Sequence, residues 1–204
     1  MSEDGDKRTA QHRLQQQLAF ILEADRLKQV IRRSYLVDAS RLENSAEHSW
    51  HLALMALVLQ EHANEEVSLL RVLQMVVIHD LVEIDCGDTY LFDDAAQAGK
   101  LAREELAAAR LFGLLPPDQA AEFYALWQEF EARETADARF ANALDRLIPL
   151  LHNYHSRGRS WQEHGIRSQQ VRDRLASIDS GSVELWSYAE ALIEAAVAEG
   201  ILES

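Results

Sequence analysis

Cysteine is almost absent from this chain. Cys86 stands alone, which excludes an intrachain disulfide and fits a reducing compartment. Long apolar runs are missing too: the longest, Leu52 to Leu59, has eight residues, whereas a membrane span needs about 20. The opening residues Met1-Ser2-Glu3-Asp4-Gly5-Asp6 are acidic and polar, unlike a secretion signal. The expectation is a soluble, cytoplasmic protein without a membrane partner. Basic residues are scarce, 20 Lys and Arg against 34 Asp and Glu, for a formal charge of −14. Binding to a nucleic acid polymer draws on clustered cations that release counterions, and none stands out. A small phosphate ester remains compatible, provided a metal and a few arginines reverse the field locally.

Proline and glycine are also few, three and eight in 204 residues, so little interrupts a regular backbone. Apolar positions recur at helical spacing almost throughout. Leu14, Leu18, Ile21 and Leu22 form one stripe; Leu52, Met55, Ala56 and Leu59 another; Leu69, Val72, Leu73, Val76 and Val77 a third. No alternating strand is evident, and the expected fold is all-α. Helices are predicted at 11–34, 46–64, 68–85, 95–113, 117–133, 136–155, 160–178 and 183–200. Asn44 with Glu47 suits a capping box, Ser68 and Thr135 suit N-caps, and Gly113 with Pro116-Pro117 separates two helices. Pro149 lies four residues after Asp145 and removes one backbone bond there, so a kink is expected if that helix continues. The length fits one domain, spanning 11–204 after a disordered stretch at 1–10.

The chemistry concentrates in a few polar residues. His79-Asp80 ends an apolar helical run and is followed by Glu83 and Asp88. His48 lies upstream in Glu43-Asn44-Ser45-Ala46-Glu47-His48-Ser49, and Asp145 lies downstream in Ala143-Leu144-Asp145-Arg146-Leu147. A charged Asp80 directly after Val76-Val77-Ile78 is costly to bury without a cation or hydrogen-bond partners. His79 and Asp80 can share a metal between their two directions, and His48 and Asp145 can complete the set from other helices. Glu83 follows Asp80 by three residues and shares its helical face. A solvated helix-end carboxylate is the bland alternative. Gly87 suits a turn that returns Asp88 towards the metal; a plain turn aspartate is the rival. Arg33 suits either a phosphate contact or a helix C-terminal charge, and Arg41 and Arg146 are further phosphate candidates. His51 reads as a neighbour or added ligand, Glu47 as a cap or a partner of His48, and His152, Tyr154 and His155 as a rim or surface. Trp127, Trp161 and Trp186 read as core or interface anchors.

In these three segments, from about Leu27 to Leu151, the chain resembles the HD-domain phosphohydrolase superfamily, within it the YfbR-like 5'-deoxynucleotidase branch. The resemblance implies a single globular helical HD-domain bundle, with His48, His79, Asp80 and Asp145 as metal ligands. It also implies catalytic roles for Glu83 and Asp88, a phosphate-binding Arg33, and a homodimer. One departure matters: the branch tends to follow its arginine with an aromatic residue near the sugar, whereas Ser34 stands here, with Tyr35 next. Two-metal members insert extra histidines between the His-Asp dyad and the last Asp, and this chain has none from 81 to 151. One divalent ion is therefore expected, with Mn²⁺, Fe²⁺, Co²⁺ or Ni²⁺ favoured by mixed nitrogen and oxygen ligands, and Zn²⁺ or Mg²⁺ as alternatives.

The expected function is metal-assisted water attack on a phosphomonoester, with a nucleoside 5'-monophosphate as substrate and no covalent intermediate. Two rivals stand beside it. One is hydrolysis of another phosphate ester, a nucleoside triphosphate or cyclic nucleotide. The other is a non-catalytic metal-binding helical module, against which the presence of both Glu83 and Asp88 speaks.

Overall fold

The computed structural model describes residues 3–204. It is helical apart from one short hairpin. Helix α1 spans Glu3–Ala24, followed by a 3₁₀ turn at Asp25–Gln29. Strands β1 (Ile31–Tyr35) and β2 (Leu42–Asn44) pair antiparallel, with Ile31 opposite Asn44 and Tyr35 opposite Leu42. Then come α2 (Ser45–Leu59), α3 (Leu69–Ile78), α4 (Glu83–Cys86), α5 (Asp94–Gln97), α6 (Lys100–Phe112) and α7 (Pro117–Ala132). Helices α8 (Ala136–His155), α9 (Arg159–His164), α10 (Ser168–Leu175), α11 (Ile178–Gly181) and α12 (Val183–Ala198) complete the chain. The stretch 1–10 expected to be disordered falls outside the described residues at Met1 and Ser2; from Glu3 onward the backbone belongs to α1.

The capping expectations hold. Asn44 and Glu47 close a reciprocal capping box on α2, while Ser68 and Thr135 accept from Arg71 N and Ala138 N. Pro117 opens α7, where a missing N–H costs nothing. Besides the one at 68–85, which tightens to a 3₁₀ turn at His79–Val82, three expected helices are interrupted. The first stops at Ala24, and residues 31–35 form β1 instead. β-prone Val30, Ile31 and Tyr35 flank a turn at Asp38-Ala39-Ser40, where Asp38 Oδ1 accepts from Ser40 N at 2.9 Å. Gly99 and Gly165, both left-handed at φ +72° and +63°, break the other two.

Residues Leu52 and Ala56 of α2, Val72, Met75 and Val76 of α3, Trp127 of α7, and Phe140 and Leu144 of α8 form the centre of the core. Of the other tryptophans, Trp161 is buried and Trp186 half-buried. The first stripe behaves differently: Leu14, Leu18, Ile21 and Leu22 are all exposed. Helix α8 runs unbroken through Pro149, and the Asn153 side chain donates to the Pro149 carbonyl at 2.8 Å. Its outer flank carries α11, seated so closely that a Cβ on Gly181 would lie 2.3 Å from the Arg139 carbonyl oxygen and 2.9 Å from Ala143 Cβ. Backbone cannot yield as a side-chain tip can. Gly181→Ala should therefore lower stability in urea unfolding by about 1–3 kcal/mol; an unchanged midpoint would show that α11 is not held there.

Candidate metal and phosphate site

The hairpin and four helical elements deliver one cluster of polar side chains. His48 projects from the second turn of α2, Asp145 from the middle of α8, and His79 and Asp80 from the 3₁₀ turn His79–Val82 that ends α3. The expected helix 68–85 is thus tightened at its functional residues. In a 3₁₀ turn, residues three apart eclipse one another, which stacks Glu83 behind Asp80. The left-handed Gly87 ends α4 and turns the chain back at Asp88.

The distances are short. His48 Nε2 lies 3.0 Å from Asp145 Oδ1 and 3.9 Å from Asp80 Oδ2. His79 Nε2 lies 3.0 Å from Asp80 Oδ1 and 3.7 Å from Asp145 Oδ1. His48, His79 and Asp145 each place one ligand atom within 4.8 Å of the others. Nδ1 of His79 faces the Val76 carbonyl at 3.0 Å, which assigns the proton to that nitrogen in the neutral ring. Nε2 then turns its lone pair to the centre, where it is buried without a hydrogen-bond partner among the described residues. Nitrogen and oxygen donors converging around an orphaned imidazole nitrogen fit a transition-metal ion.

Electrostatics point the same way. Burial disfavours charge on Asp80, yet His79 and Arg32 overrule it and hold the carboxylate well below its usual range. Asp145 is likewise held low against burial by His48 and His79. Burial opposes charge on His79, yet Asp80 and Asp145 raise it to about 10, so in the absence of metal the ring holds both protons and an ion binding at Nε2 must displace one. Glu83 is pushed up by burial and then by Asp80 and Asp88, and Asp88 by burial and Asp80 against the pull of Arg32. Ser45 Oγ donates to Glu83 Oε2 at 2.7 Å. The raised Glu83 and Asp88 show carboxyl groups repelling one another here, and a further cation relieves that repulsion.

Arg32 was not among the residues singled out from sequence, yet it is central. Its Nη1 donates to Asp80 Oδ2 at 2.7 Å and lies 3.7 Å from Asp88 Oδ1. Arg33, expected to end a helix, sits in β1 with an exposed side chain and lines the mouth of the cavity above the cluster. Both arginines line this cavity, Arg32 half-buried against Asp80 and Arg33 exposed. Arg146 lines the same cavity; Arg41 instead grips Glu47 at 2.6 and 2.8 Å, outside it. Glu43, rather than Glu47, faces His48 Nδ1, at 3.5 Å. His152, expected at a rim, is buried.

The cavity measures about 90 Å³ and is lined by Asp80, Glu83, Asp88 and Asp145 below and by Arg33, Lys100 and Arg146 at the sides. One water needs about 10–15 Å³ of such volume, so the space suits several waters or one phosphate-sized group. Ser34 and Tyr90 also line it, but Tyr35 does not: its hydroxyl donates to Glu163 at 2.9 Å and Arg159 covers its ring. Lys100 is anchored by Glu104 at 3.3 Å. Burial, joined by Glu131 and opposed by Lys100, raises the Glu104 carboxyl to about 7. A raised acid binds its proton more tightly when folded, so its contribution to stability is full at low pH and is lost as pH rises towards 7. The fall in stability between pH 5 and 8, followed by urea midpoints, should be shallower in Glu104→Gln; an identical slope would place this titration elsewhere.

Comparison with known proteins gives the family. A profile described as HD domain matches residues 24–186. The Bos taurus protein named 5'-deoxynucleotidase HDDC2 is 34% identical over 136 residues, 66% of this chain and 64% of that protein. The Homo sapiens counterpart is 30% identical over 135 residues, 66% of this chain and 65% of its own length. The match thus spans just under two thirds of these relatives. The crystal structure of a predicted metal-dependent phosphohydrolase from Magnetospirillum magnetotacticum MS-1 superposes with a TM-score of 0.89 at 55% identity, covering 95% of this chain and all of that one.

Proposed function

The chain belongs to the HD-domain family, and from that premise we propose that it is a metal-dependent phosphohydrolase acting on nucleoside 5'-monophosphates. The observation that carries this reading is the convergence of His48, His79, Asp80 and Asp145 beneath a phosphate-sized cavity lined by basic side chains. These four residues would hold one divalent ion, for which their mixed donors favour Mn²⁺, Fe²⁺, Co²⁺ or Ni²⁺ over Zn²⁺ or Mg²⁺. Such an ion supplies Lewis-acid polarisation of the phosphoryl group and lowers the pKa of water.

The protein's own groups do the rest. Arg33, Lys100 and Arg146 bind phosphoryl oxygens and offset charge as it builds in the transition state. Arg32, tied to Asp80 and close to Asp88, fixes the carboxylates beneath the substrate. Ser45 holds one oxygen of Glu83, leaving the other to orient and deprotonate the attacking water. Asp88, returned over the cluster by the Gly87 turn, delivers a proton to the departing nucleoside oxygen. Water thus forms the new P–O bond as the bond to the 5' oxygen breaks, yielding nucleoside and inorganic phosphate. The cavity accepts the phosphate but not a whole nucleotide, so sugar and base project past Tyr90, Leu91 and Phe92.

The names of the HDDC2 relatives favour a deoxynucleoside monophosphate. With Ser34 at the cavity wall and Tyr35 committed to Glu163, aromatic contact with the sugar falls to Tyr90 and Phe92 instead. Within the reading, the site works in one copy of the chain or in a homodimer.

Phosphate release from ribo- and deoxynucleoside 5'-monophosphates, after metal stripping and refilling, tests the proposal. Turnover should depend on the added ion and fall about 10²–10⁴-fold in Glu83→Gln, with metal content unchanged. Release that persists without metal, or that survives Glu83→Gln, contradicts it.

A further inference from the structure

On the side of His48 away from the cavity, a second group of ligand-type side chains gathers around Glu43. Glu43, His51 and His152 each offer one ligand atom, and the three atoms lie within 4.8 Å of one another. Glu43 and His152 are 2% and 3% exposed, and His51 is half-buried. The rings of His51 and His152 are 5.6 Å apart. His152 Nδ1 faces Glu43 Oε2 at 3.8 Å, beyond the roughly 2.7–3.2 Å of a hydrogen bond, and is buried without a partner among the described residues. Leaving that nitrogen unpaired is costly, and an ion accepted by all three residues removes the cost.

The group is reachable. Glu43, His51 and His152 line a cavity of about 490 Å³ that opens beside Trp50 and Asp38, on the outer side of α2. Arg41, the cation at its edge, is engaged by Glu47. His51 and His152 take no part in the hydrolysis described above, and Glu43 meets that site only from behind, through His48 Nδ1 and Arg32 Nε.

We propose that Glu43, His51 and His152 form a second divalent-metal site, distinct from the catalytic set and entered from the outer face of α2. Two imidazoles and one carboxylate with a remaining position for water match Zn²⁺ and its neighbours Ni²⁺ and Co²⁺, rather than the all-oxygen preference of Mg²⁺ or Ca²⁺. Glu43 links the two sites, since the same Oε2 lies 3.5 Å from His48 Nδ1 and 3.8 Å from Arg32 Nε.

Zn²⁺ titration of the metal-stripped full chain, read by calorimetry and by bound metal after dialysis, tests the site. Wild type should bind two equivalents. His51→Ala and His152→Gln should each lose one, through weakening by at least about 100-fold, more than an outer-shell change produces. Asp145→Ala should lose the other equivalent and keep this one. Far-UV circular dichroism confirms that each variant is folded; His51, at the cavity mouth, is the safer substitution. A single wild-type equivalent that disappears in Asp145→Ala, or two equivalents in both histidine variants, overturns the proposal. A single equivalent kept in Asp145→Ala but lost in His51→Ala upholds this site and removes the inner one instead.

Discussion

Burying carboxylates is the constraint on which this structure depends. Asp80 and Glu83 are buried and Asp88 and Asp145 half-buried beside them, where each would be expensive alone. The fold meets that cost with bonds from several directions: Arg32 from the hairpin, Ser45 and His48 from α2, His79 from the 3₁₀ turn. Breaking the hairpin removes Arg32 and leaves Asp80 without its shortest contact. Fold and site are therefore one arrangement, in which the apolar contacts of α2, α3 and α8 set the spacing of the charged groups they carry.

That arrangement reconciles an acidic protein with an anionic substrate. The formal charge of −14 belongs to the whole chain, whereas Arg33, Lys100 and Arg146 are gathered round one small cavity. Over a few ångströms, local charge outweighs the distant net charge because salt screens exposed groups beyond about 8 Å at physiological ionic strength. Lys100 is paired with Glu104, one turn further along α6, so this ion pair shapes the cavity wall.

Much of this was legible from the residues. Helical periodicity, the Asn44–Glu47 capping box and the spacing of His48, His79-Asp80 and Asp145 led to an all-α bundle and to the side chains that converge at its centre. The hairpin was not legible, because its two strands are short and one contains an irregular register, so alternation never builds up. Arg32 was hidden for the same reason. Read as the end of a helix, Arg32 and Arg33 are equivalent cations; the hairpin packs Arg32 against Asp80 and leaves Arg33 exposed. Lys100 lies 20 residues beyond Asp80 and carries no local sign of its destination. Glu43 and His152 became conspicuous only once tertiary packing brought β2, α2 and α8 together.

The central claim is that His48, His79, Asp80 and Asp145 jointly hold one ion beneath the cavity. Its most direct test is a crystal of the full chain grown with Mn²⁺ and measured on both sides of the manganese absorption edge. The account predicts an anomalous peak bounded by His48 Nε2, His79 Nε2 and the carboxylates of Asp80 and Asp145. Absence of such a peak at a fully ordered cluster, or hydrogen bonds from Arg32 and the histidines filling its place, would contradict it.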